Sequence, residues 1–310
     1  MLTECFVAPR RAKNFRTAIC VGLTPVEDTV SDSMDIILIL RWVCVSKSQS
    51  GLLIASGPNI FVWVPNESPI LISERDDHVR KLHVTESNIY DAGDSNRVFD
   101  TLSGKEIAVR EHWVYALETF ESKLYDGGRY EQIMETKNNE VMNWRNGWVR
   151  SIKSFQNVLY DGGEYGVYET FTTKKLGDRR GATYNLLEFN DMLLDSGEYG
   201  VYDTLSSQPI VHRDFSILDI AVHDSELYDC GRYGILKTLT SEKIASRQSP
   251  SMALQSHEGI LYDFDGFMMA YETLSDSEGT NPLAEFDYPI HSVVSLNEDM
   301  FNKILSVKQT

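Results

Sequence analysis

The sequence predicts an all-β fold, a β-propeller of seven blades with four antiparallel strands each. The prediction rests on a repeat of 34 or 35 residues, on alternating apolar and polar residues within each copy, and on the lack of helical periodicity over more than ten residues. A period of this length indicates one supersecondary unit that is copied and stacked. Four short strands per copy are typical of a propeller blade, whereas an α-solenoid needs helices and a parallel β-helix needs shorter rungs.

One copy illustrates the four predicted strands. Residues 149–155 alternate apolar and polar, as a half-buried strand does, and residues 158–161 form a second strand that Gly162 and Gly163 close. Residues 165–171 are rich in strong β formers, and residues 175–179 make a short fourth strand. The paired glycines are expected to supply backbone angles that other residues reach only with strain.

The number of blades follows from the ends of the chain. Six copies run from about residue 79 to residue 287, and residues 52–57 and 60–63 resemble the second and third strands of a degenerate blade. Residues 291–296, near the C-terminus, have the sequence pattern of a first strand again. The economical assembly has seven blades, one of them built from both ends of the chain, because such closure leaves no free sheet edge.

The N-terminal part lies outside the repeat. Residues 1–33 are predicted to be a flexible extension, and residues 34–310 to form the propeller with its ends closing one blade. Residues 36–45 also read as a first strand, so an extra edge strand or an eighth partial blade is an open alternative.

Each of the six copies carries an Arg that is followed sixteen positions later by an Asp. The Args are Arg75, Arg110, Arg145, Arg179, Arg213 and Arg247. The Asps are Asp91, Asp126, Asp161, Asp195, Asp229 and Asp263. Equal numbers and a fixed offset favour a buried ion pair that ties the fourth strand of one blade to the second strand of the next. In the alternative, one set points into the central channel as a charged ring that binds an ion or an anion.

The degenerate blade favours pairing, because both members of the pair are replaced there. Ala55 stands at the Asp position, and Ile39 is predicted to stand at the Arg position.

Two segments link the repeat to known propellers. Residues 102–107 read Leu-Ser-Gly-Lys-Glu-Ile, and residues 163–168 read Gly-Glu-Tyr-Gly-Val-Tyr. They resemble the WD40/YVTN/PQQ-like repeat propeller superfamily, which implies the propeller fold. WD40 blades tend to end the third strand in Trp-Asp, where this chain has pairs such as Tyr168-Glu169. PQQ-type repeats tend to place Trp near the end of the fourth strand, where this chain has Arg, so no quinone cofactor is expected.

The composition and the motifs of the sequence exclude several classes of partner and of chemical site. A formal charge of −17 argues against a nucleic-acid surface and against an anionic membrane face, since both need clustered Lys and Arg. The four cysteines and seven histidines have no metal-ligand spacing, and no nucleophile elbow or phosphate-binding loop is present. We therefore assign no catalytic residue, metal or cofactor. No secretory signal is visible, so a cytoplasmic location is predicted.

The loop position three residues after each repeat Arg varies between copies. It reads His78, Trp113, Trp148, Ala182, Ser216 and Pro250. The ring-bearing residues cluster in three consecutive copies, with Trp144 and Tyr184 nearby, and such residues dominate binding hot spots. The sequence thus predicts a non-catalytic module that binds a protein partner through His78, Trp113, Trp144, Trp148 and Tyr184.

Three other interpretations of these loops stay open. The rings could plug the channel or pack on neighbouring strands. The protein could bind a small molecule or ion at the channel mouth, as a hydrolase or lyase does. It could also be a structural subunit without a site of its own.

Overall fold

The computed structural model describes residues 50–177, 179 and 181–308. They form seven four-stranded antiparallel sheets in a ring, which confirms the predicted fold class. The predictions for residues 1–33 and for a strand at 36–45 lie outside the described residues. In the described part of the chain no helix is long and apolar enough to cross a membrane.

Blade 1 joins the two ends of the described chain. Its first strand is β28 (Ile290–Leu296), and it continues with β1 (Gly51–Ser56), β2 (Asn59–Trp63) and β3 (Ile70–Glu74). β1 pairs with β28 on one side and with β2 on the other. Blade 1 is thus built from β28 together with the three strands of residues 51–74.

The other six blades are consecutive in sequence. Blades 2 to 4 consist of β4 (Val79–Val84), β5 (Ile89–Gly93), β6 (Arg97–Asp100), β7 (Glu106–Val109), β8 (Val114–Phe120), β9 (Lys123–Gly128), β10 (Gln132–Glu135), β11 (Glu140–Trp144), β12 (Val149–Phe155), β13 (Val158–Gly163), β14 (Gly166–Glu169) and β15 (Lys175–Gly177). Blades 5 to 7 consist of β16 (Thr183–Phe189), β17 (Met192–Gly197), β18 (Gly200–Asp203), β19 (Pro209–His212), β20 (Ile217–His223), β21 (Glu226–Gly231), β22 (Gly234–Lys237), β23 (Glu242–Ala245), β24 (Ser251–His257), β25 (Ile260–Asp265), β26 (Met269–Glu272) and β27 (Ala284–Glu285).

The depth of each strand follows from its place in the blade. The first strands of neighbouring blades contact one another all the way round the ring, so they line the central channel. The second strands are buried almost throughout, because each lies between the sheets of two blades. Fourth strands such as β11 form the exposed rim. A charged residue on a second strand is therefore buried and needs a partner.

Tight turns join the first and second strands. In blade 4 the turn is Gln156-Asn157, with φ of 47° and 58°. Two consecutive positive φ angles are typical of the type I′ turns that match the twist of a hairpin. Blades 3 to 7 each have a two-residue turn of this kind, which keeps these five blades in the same register.

The paired glycines have a different role from the predicted one. Gly128 and Gly163 do not have positive φ. A Cβ on Gly128 would lie 2.0 Å from the carbonyl oxygen of Trp113, and one on Gly163 would lie 1.9 Å from that of Trp148. These glycines let the end of the second strand approach the loop that enters the first strand. They thereby fix the backbone of the Trp-bearing loops.

A C-terminal helix covers part of blade 1. α1 (Glu298–Lys308) follows β28 directly, and Asn297 caps it by accepting a hydrogen bond from the backbone N–H of Met300 at 2.9 Å. Met300, Phe301 and Ile304 are buried and belong to the same apolar cluster as Leu53 of β1. The helix therefore stabilises the blade in which the chain closes on itself.

Phe301→Ala tests this contribution. Phe301 is 2% exposed, so we expect the substitution to lower the free energy of unfolding by about 3–5 kcal/mol. Phe267→Ala is the matched control, because Phe267 is 54% exposed and its loss should change stability by about 0.5 kcal/mol or less. Chemical denaturation measures both. Equal effects of the two substitutions would contradict a role for α1 in closure.

Candidate functional site

The repeat Args and Asps bond to each other between blades. Arg110 follows the fourth strand of blade 2, and Asp126 lies on β9 in blade 3. Arg110 Nε donates to Asp126 Oδ1 at 2.7 Å, and its Nη2 donates to Oδ2 at 2.5 Å. The other five pairs have the same two-bond geometry, in Arg75–Asp91, Arg145–Asp161, Arg179–Asp195, Arg213–Asp229 and Arg247–Asp263. A bidentate pair of this kind suits charges that are removed from water.

Each Asp also accepts a hydrogen bond from one hydroxyl, and two residue types supply it. In three blades the donor is a Thr of the turn after the third strand, in the pairs Thr101–Asp91, Thr204–Asp195 and Thr273–Asp263. In the other three the donor is a Tyr four residues after the Asp, in the pairs Tyr130–Asp126, Tyr165–Asp161 and Tyr233–Asp229. Where Tyr donates, the equivalent Thr hydroxyl has no partner among the described residues, at Thr136, Thr170 and Thr238.

The seventh pair is replaced by apolar residues, but not by the two that the sequence suggested. Ala55 on β1 does stand at the Asp position and is fully buried. The Arg position, four residues before the first strand, belongs to Phe286, because the first strand of blade 1 is β28. Ile39, which the sequence suggested for that position, lies outside the described residues. Phe286 is buried and lies edge-on to Trp63, with ring centroids 6.5 Å apart.

The exchange of hydroxyl donors gives a matched pair of substitutions. Thr101→Val removes the 2.9 Å bond to Asp91, so we expect a loss of about 1.5–3 kcal/mol of unfolding free energy, as for a hydrogen bond to a charged group. Thr136→Val removes a buried hydroxyl that has no partner among the described residues, so stability should stay the same or rise. Urea denaturation distinguishes the two. A larger loss from Thr136→Val would refute this account of the two hydroxyl types.

One face of the ring carries the predicted Trp residues. It consists of the loops that enter the first strands and of the hairpins that join second to third strands, and we call it the loop face. Trp113 and Trp148 directly precede β8 and β12, and Arg129 lies in the hairpin between β9 and β10. Both Trp residues are half-buried, while Arg129 is exposed.

Aromatic rings and guanidinium groups alternate across this face. The guanidinium of Arg129 lies 5.0 Å from the ring of Trp113 and 4.8 Å from that of Trp148. Arg150 continues the row, 4.8 Å from the ring of Trp148 and 5.4 Å from that of Tyr184. These five residues, Trp113, Arg129, Trp148, Arg150 and Tyr184, form what we call the Trp–Arg stack. Stacking in this order is favourable because a guanidinium is attracted to the faces of both rings.

Tyr115 lies beside the stack. Its ring centroid is 5.9 Å from that of Trp148 and 6.2 Å from that of Trp113, and Arg150 lies 5.6 Å from it. Burial raises the pKa of its hydroxyl. Tyr115, Arg150 and Tyr184 occupy the second position of the first strands in three consecutive blades. That shared position brings them to the channel mouth together.

The hairpin slot of Arg129 distinguishes blade 3 from its neighbours. In blades 2, 4 and 5 the same slot holds Asp94, Glu164 and Glu198. Each of these acids bonds to the channel strand of its own blade, in the pairs Arg80–Asp94, Arg150–Glu164 and Tyr184–Glu198. Among the described residues, Arg129 has no carboxylate within 4 Å. Its guanidinium group stacks against the indole rings of Trp113 and Trp148 instead.

Two of the predicted binding residues lie apart from the stack. The ring of His78 lies 5.6 Å from that of His291 and 6.3 Å from that of Tyr288, on the other side of blade 2. Trp144 ends β11 on the outer rim and is 64% exposed. The structure thus groups Trp113, Trp148 and Tyr184 but neither His78 nor Trp144 with them.

The central channel contains a cavity of about 520 Å³ that the first strands line. Its lining includes Arg80, Lys81, Arg150 and a single carboxylate, Asp219. Burial raises the pKa of Asp219 to about 6, although its oxygens accept bonds from the backbone N–H groups of Ile220 and Leu254. Burial also lowers the pKa of Lys81. Within the described residues, no three His, Cys, Asp or Glu side chains are grouped as metal ligands.

Comparison with known proteins identifies the fold. The chain is similar to the crystal structure of the WD40 β-propeller domain of Doa1, with a TM-score of 0.57 at 10% identity over 69% of this chain and 85% of that one. The fold is that of a WD40-like β-propeller. The chain is also similar to the computationally designed Ika8 protein, with a TM-score of 0.53 at 14% identity over 81% of this chain and 95% of that one. No family model and no curated protein matches the sequence.

Sequence reasoning missed three residues of this WD40-like propeller's channel mouth, Tyr115, Arg129 and Arg150. The available signal was their position in the repeat. Tyr115 and Arg150 are 35 residues apart, and Arg129 precedes Glu164 by the same interval. Alignment of the copies would have shown a base at Arg129 in a slot that is acidic in the neighbouring blades 2, 4 and 5.

A half-buried histidine in the channel, His83, predicts how the stability of the propeller changes in acid. Burial, reinforced by Lys81 and Lys153, lowers the pKa of His83 from 6.5 to about 4. Between these values the unfolded chain binds more protons at this residue than the folded one, so its contribution to stability falls as pH drops from 6.5 towards 4. We expect His83→Gln to reduce the loss of unfolding free energy over that range.

The comparison is between variants, because Asp219, whose pKa is raised to about 6, titrates in the opposite sense over the same range. Exposed His112 gives the control, and His112→Gln should leave the pH dependence unchanged. Denaturation curves at half-unit steps of pH measure the slopes. An unaltered slope in His83→Gln would show that His83 is not the responsible group.

Proposed function

We propose that this WD40-like propeller is a non-catalytic protein-interaction module whose partner docks on the loop face at the channel mouth. The observation that carries the proposal is the Trp–Arg stack, a row of alternating rings and guanidinium groups at one side of an otherwise symmetric ring. Trp, Tyr and Arg are the residues that most often dominate binding energy at protein interfaces.

The stack is ordered before a partner arrives. Arg129 lies between two indole faces, and the backbones of Trp113 and Trp148 are fixed by the close approach of Gly128 and Gly163. Ordering long side chains on binding costs about 0.5–1.5 kcal/mol each. A preformed stack avoids much of that cost.

The chemistry of the stack favours an acceptor on the partner. The faces of both indoles are covered by the protein's own Arg129 and Arg150, so the rings do not form an open cage for a ligand cation. Arg129 has no carboxylate partner among the described residues, and a guanidinium donates through its edges. A partner carboxylate or backbone carbonyl can accept these bonds.

Other exposed rings extend the loop face around the channel. Phe215 and Tyr288 lie in loops that enter first strands, and Phe267 lies in a hairpin between second and third strands. They are 53%, 40% and 54% exposed. Large apolar side chains that stay exposed on one face support a macromolecular partner.

A catalytic ring of repeat residues has less support. Each of the six Args bonds to its Asp through two contacts, so neither set is free to bind a substrate. This leaves the non-repeated residues of the channel mouth to carry function.

Affinity capture with stack variants tests the proposal. We expect Trp113→Ala and Trp148→Ala each to weaken capture of the partner by about 30-fold, since a hot-spot truncation costs about 2 kcal/mol or more. Arg129→Ala should have a similar effect without removing a ring. The partner is identified and quantified by mass spectrometry against the wild-type protein.

Trp144→Ala is the matched control, because Trp144 is an exposed Trp on the outer rim. It should capture the partner at the wild-type level. If folded Trp113→Ala and Trp148→Ala proteins capture the same proteins in unchanged amounts, the loop face at the stack is not the interaction site.

A further inference from the structure

The channel cavity has the size and lining of a small-molecule site. Its volume of about 520 Å³ falls within the range of about 300–1,000 Å³ that ligand pockets occupy. The lining is polar on the mouth side, where the hydroxyl of Tyr115 and the amide of Asn185 face the same space as Arg80 and Arg150.

The charge of this lining is opposite to that of the whole protein. The chain carries a formal charge of −17, yet three cations line the cavity against one carboxylate. Two of the cations have acids of their own, since Arg80 bonds to Asp94 at 2.6 Å and Arg150 to Glu164 at 3.0 Å. The third, Lys81, is different.

Lys81 has no direct partner among the described residues, and the opposite charges that act on it are those of Asp219 and Glu118. No carboxylate lies within 4 Å of its ammonium group, and the one acid in the lining, Asp219, already accepts two backbone hydrogen bonds at 2.9 Å. Deeper in the channel, Glu118 faces Lys153 at 4.0 Å and accepts a bond from Ser154, so it is also engaged. Both carboxylates are thus engaged with other donors and neither contacts the half-buried ammonium group, so its donors are available to an anion.

We propose that the channel binds a small polyanion, a multiply charged carboxylate or phosphate, with the ammonium group of Lys81 as its central contact and the guanidinium groups of Arg80 and Arg150 at the mouth. The arrangement provides one strong point charge inside and two planar donors outside, which suits an anion with oxygens at both ends. A bound anion also restores the charged form of Lys81, which burial alone disfavours.

This site is centred on a different residue from the protein-interaction surface, although Arg150 belongs to both. Lys81 lies inside the channel on β4, whereas Trp113 and Trp148 lie in the loops outside it. Either proposal can fail without the other. A Trp113→Ala protein should therefore keep its response to anions.

Thermal unfolding with citrate or pyrophosphate, at fixed ionic strength set with chloride, tests the inference. At a concentration of one hundred times the dissociation constant, the unfolding midpoint of the wild-type protein should rise by about 4 °C. Lys81→Gln should abolish that rise. The Lys81→Gln protein without anion should still unfold cooperatively, which distinguishes a lost response to anions from a lost fold.

Lys243→Gln is the control, since it removes the same charge from an exposed position on the fourth strand of blade 6 and should keep the full shift. Arg150→Gln gives a second variant in the lining and should reduce the shift. If only citrate binding saturates, the ligand is a carboxylate, and if only pyrophosphate binding saturates, it is a phosphate. If both saturate, the cavity is a general polyanion site. The inference fails if neither probe saturates in calorimetry, or if Lys81→Gln keeps the wild-type shift.

Discussion

The buried Arg–Asp pair between blades is the interaction on which the rest of the structure depends. A carboxylate on the middle strand of a blade is surrounded by apolar sheet, so it requires a cation that approaches with two bonds and a hydroxyl that occupies a further lone pair. The Arg that meets this requirement comes from the preceding blade. The pair therefore fixes the angle between neighbouring blades and pins the loop that crosses from one to the next. Trp113 and Trp148 lie three residues beyond Arg110 and Arg145, so the same pair positions the loop face.

Blade 1, which closes the ring, shows that two neighbouring blades can also be joined without an Arg–Asp pair. At its junction an apolar pair, Phe286 and Ala55, holds the two positions, and Trp63 lies edge-on to Phe286. Replacing a buried ion pair by packed apolar groups is often neutral or stabilising. What the apolar junction lacks is a directional bond to set the register between blades. At this junction an apolar cluster that includes Trp63 of blade 1 and Phe264 of blade 7 packs around Phe286 instead.

The sequence predicted the fold and the seven blades, because both depend on a pattern that every copy repeats. It failed where an answer depends on which distant segments meet. Phe286 was missed because the first strand of blade 1 comes from the C-terminus, so the Arg position lies far from Ala55 in sequence. The Trp–Arg stack was half predicted: Trp113, Trp148 and Tyr184 stood out as departures from the repeat, while Arg129 and Arg150 look like ordinary surface bases. Their roles depend on the distances between neighbouring blades, which no single copy contains.

Because the blades share one backbone arrangement, small sequence differences between the copies give one part of the loop face its own chemical character. The hairpin slot that holds Asp94, Glu164 and Glu198 in three blades points each acid at the channel strand of its own blade. An Arg in the same slot of blade 3 has no such acid-base partner and instead enters the gap between two indoles. The backbone needs no change for this, because the slot, the glycine contact and the Arg–Asp pair are the same in both cases. Blade 6 also has an Arg in this slot, Arg232, but Ser216 and Pro250 stand where blades 3 and 4 have Trp113 and Trp148. The charge reversal and the two indoles together therefore distinguish one side of the channel mouth from the other.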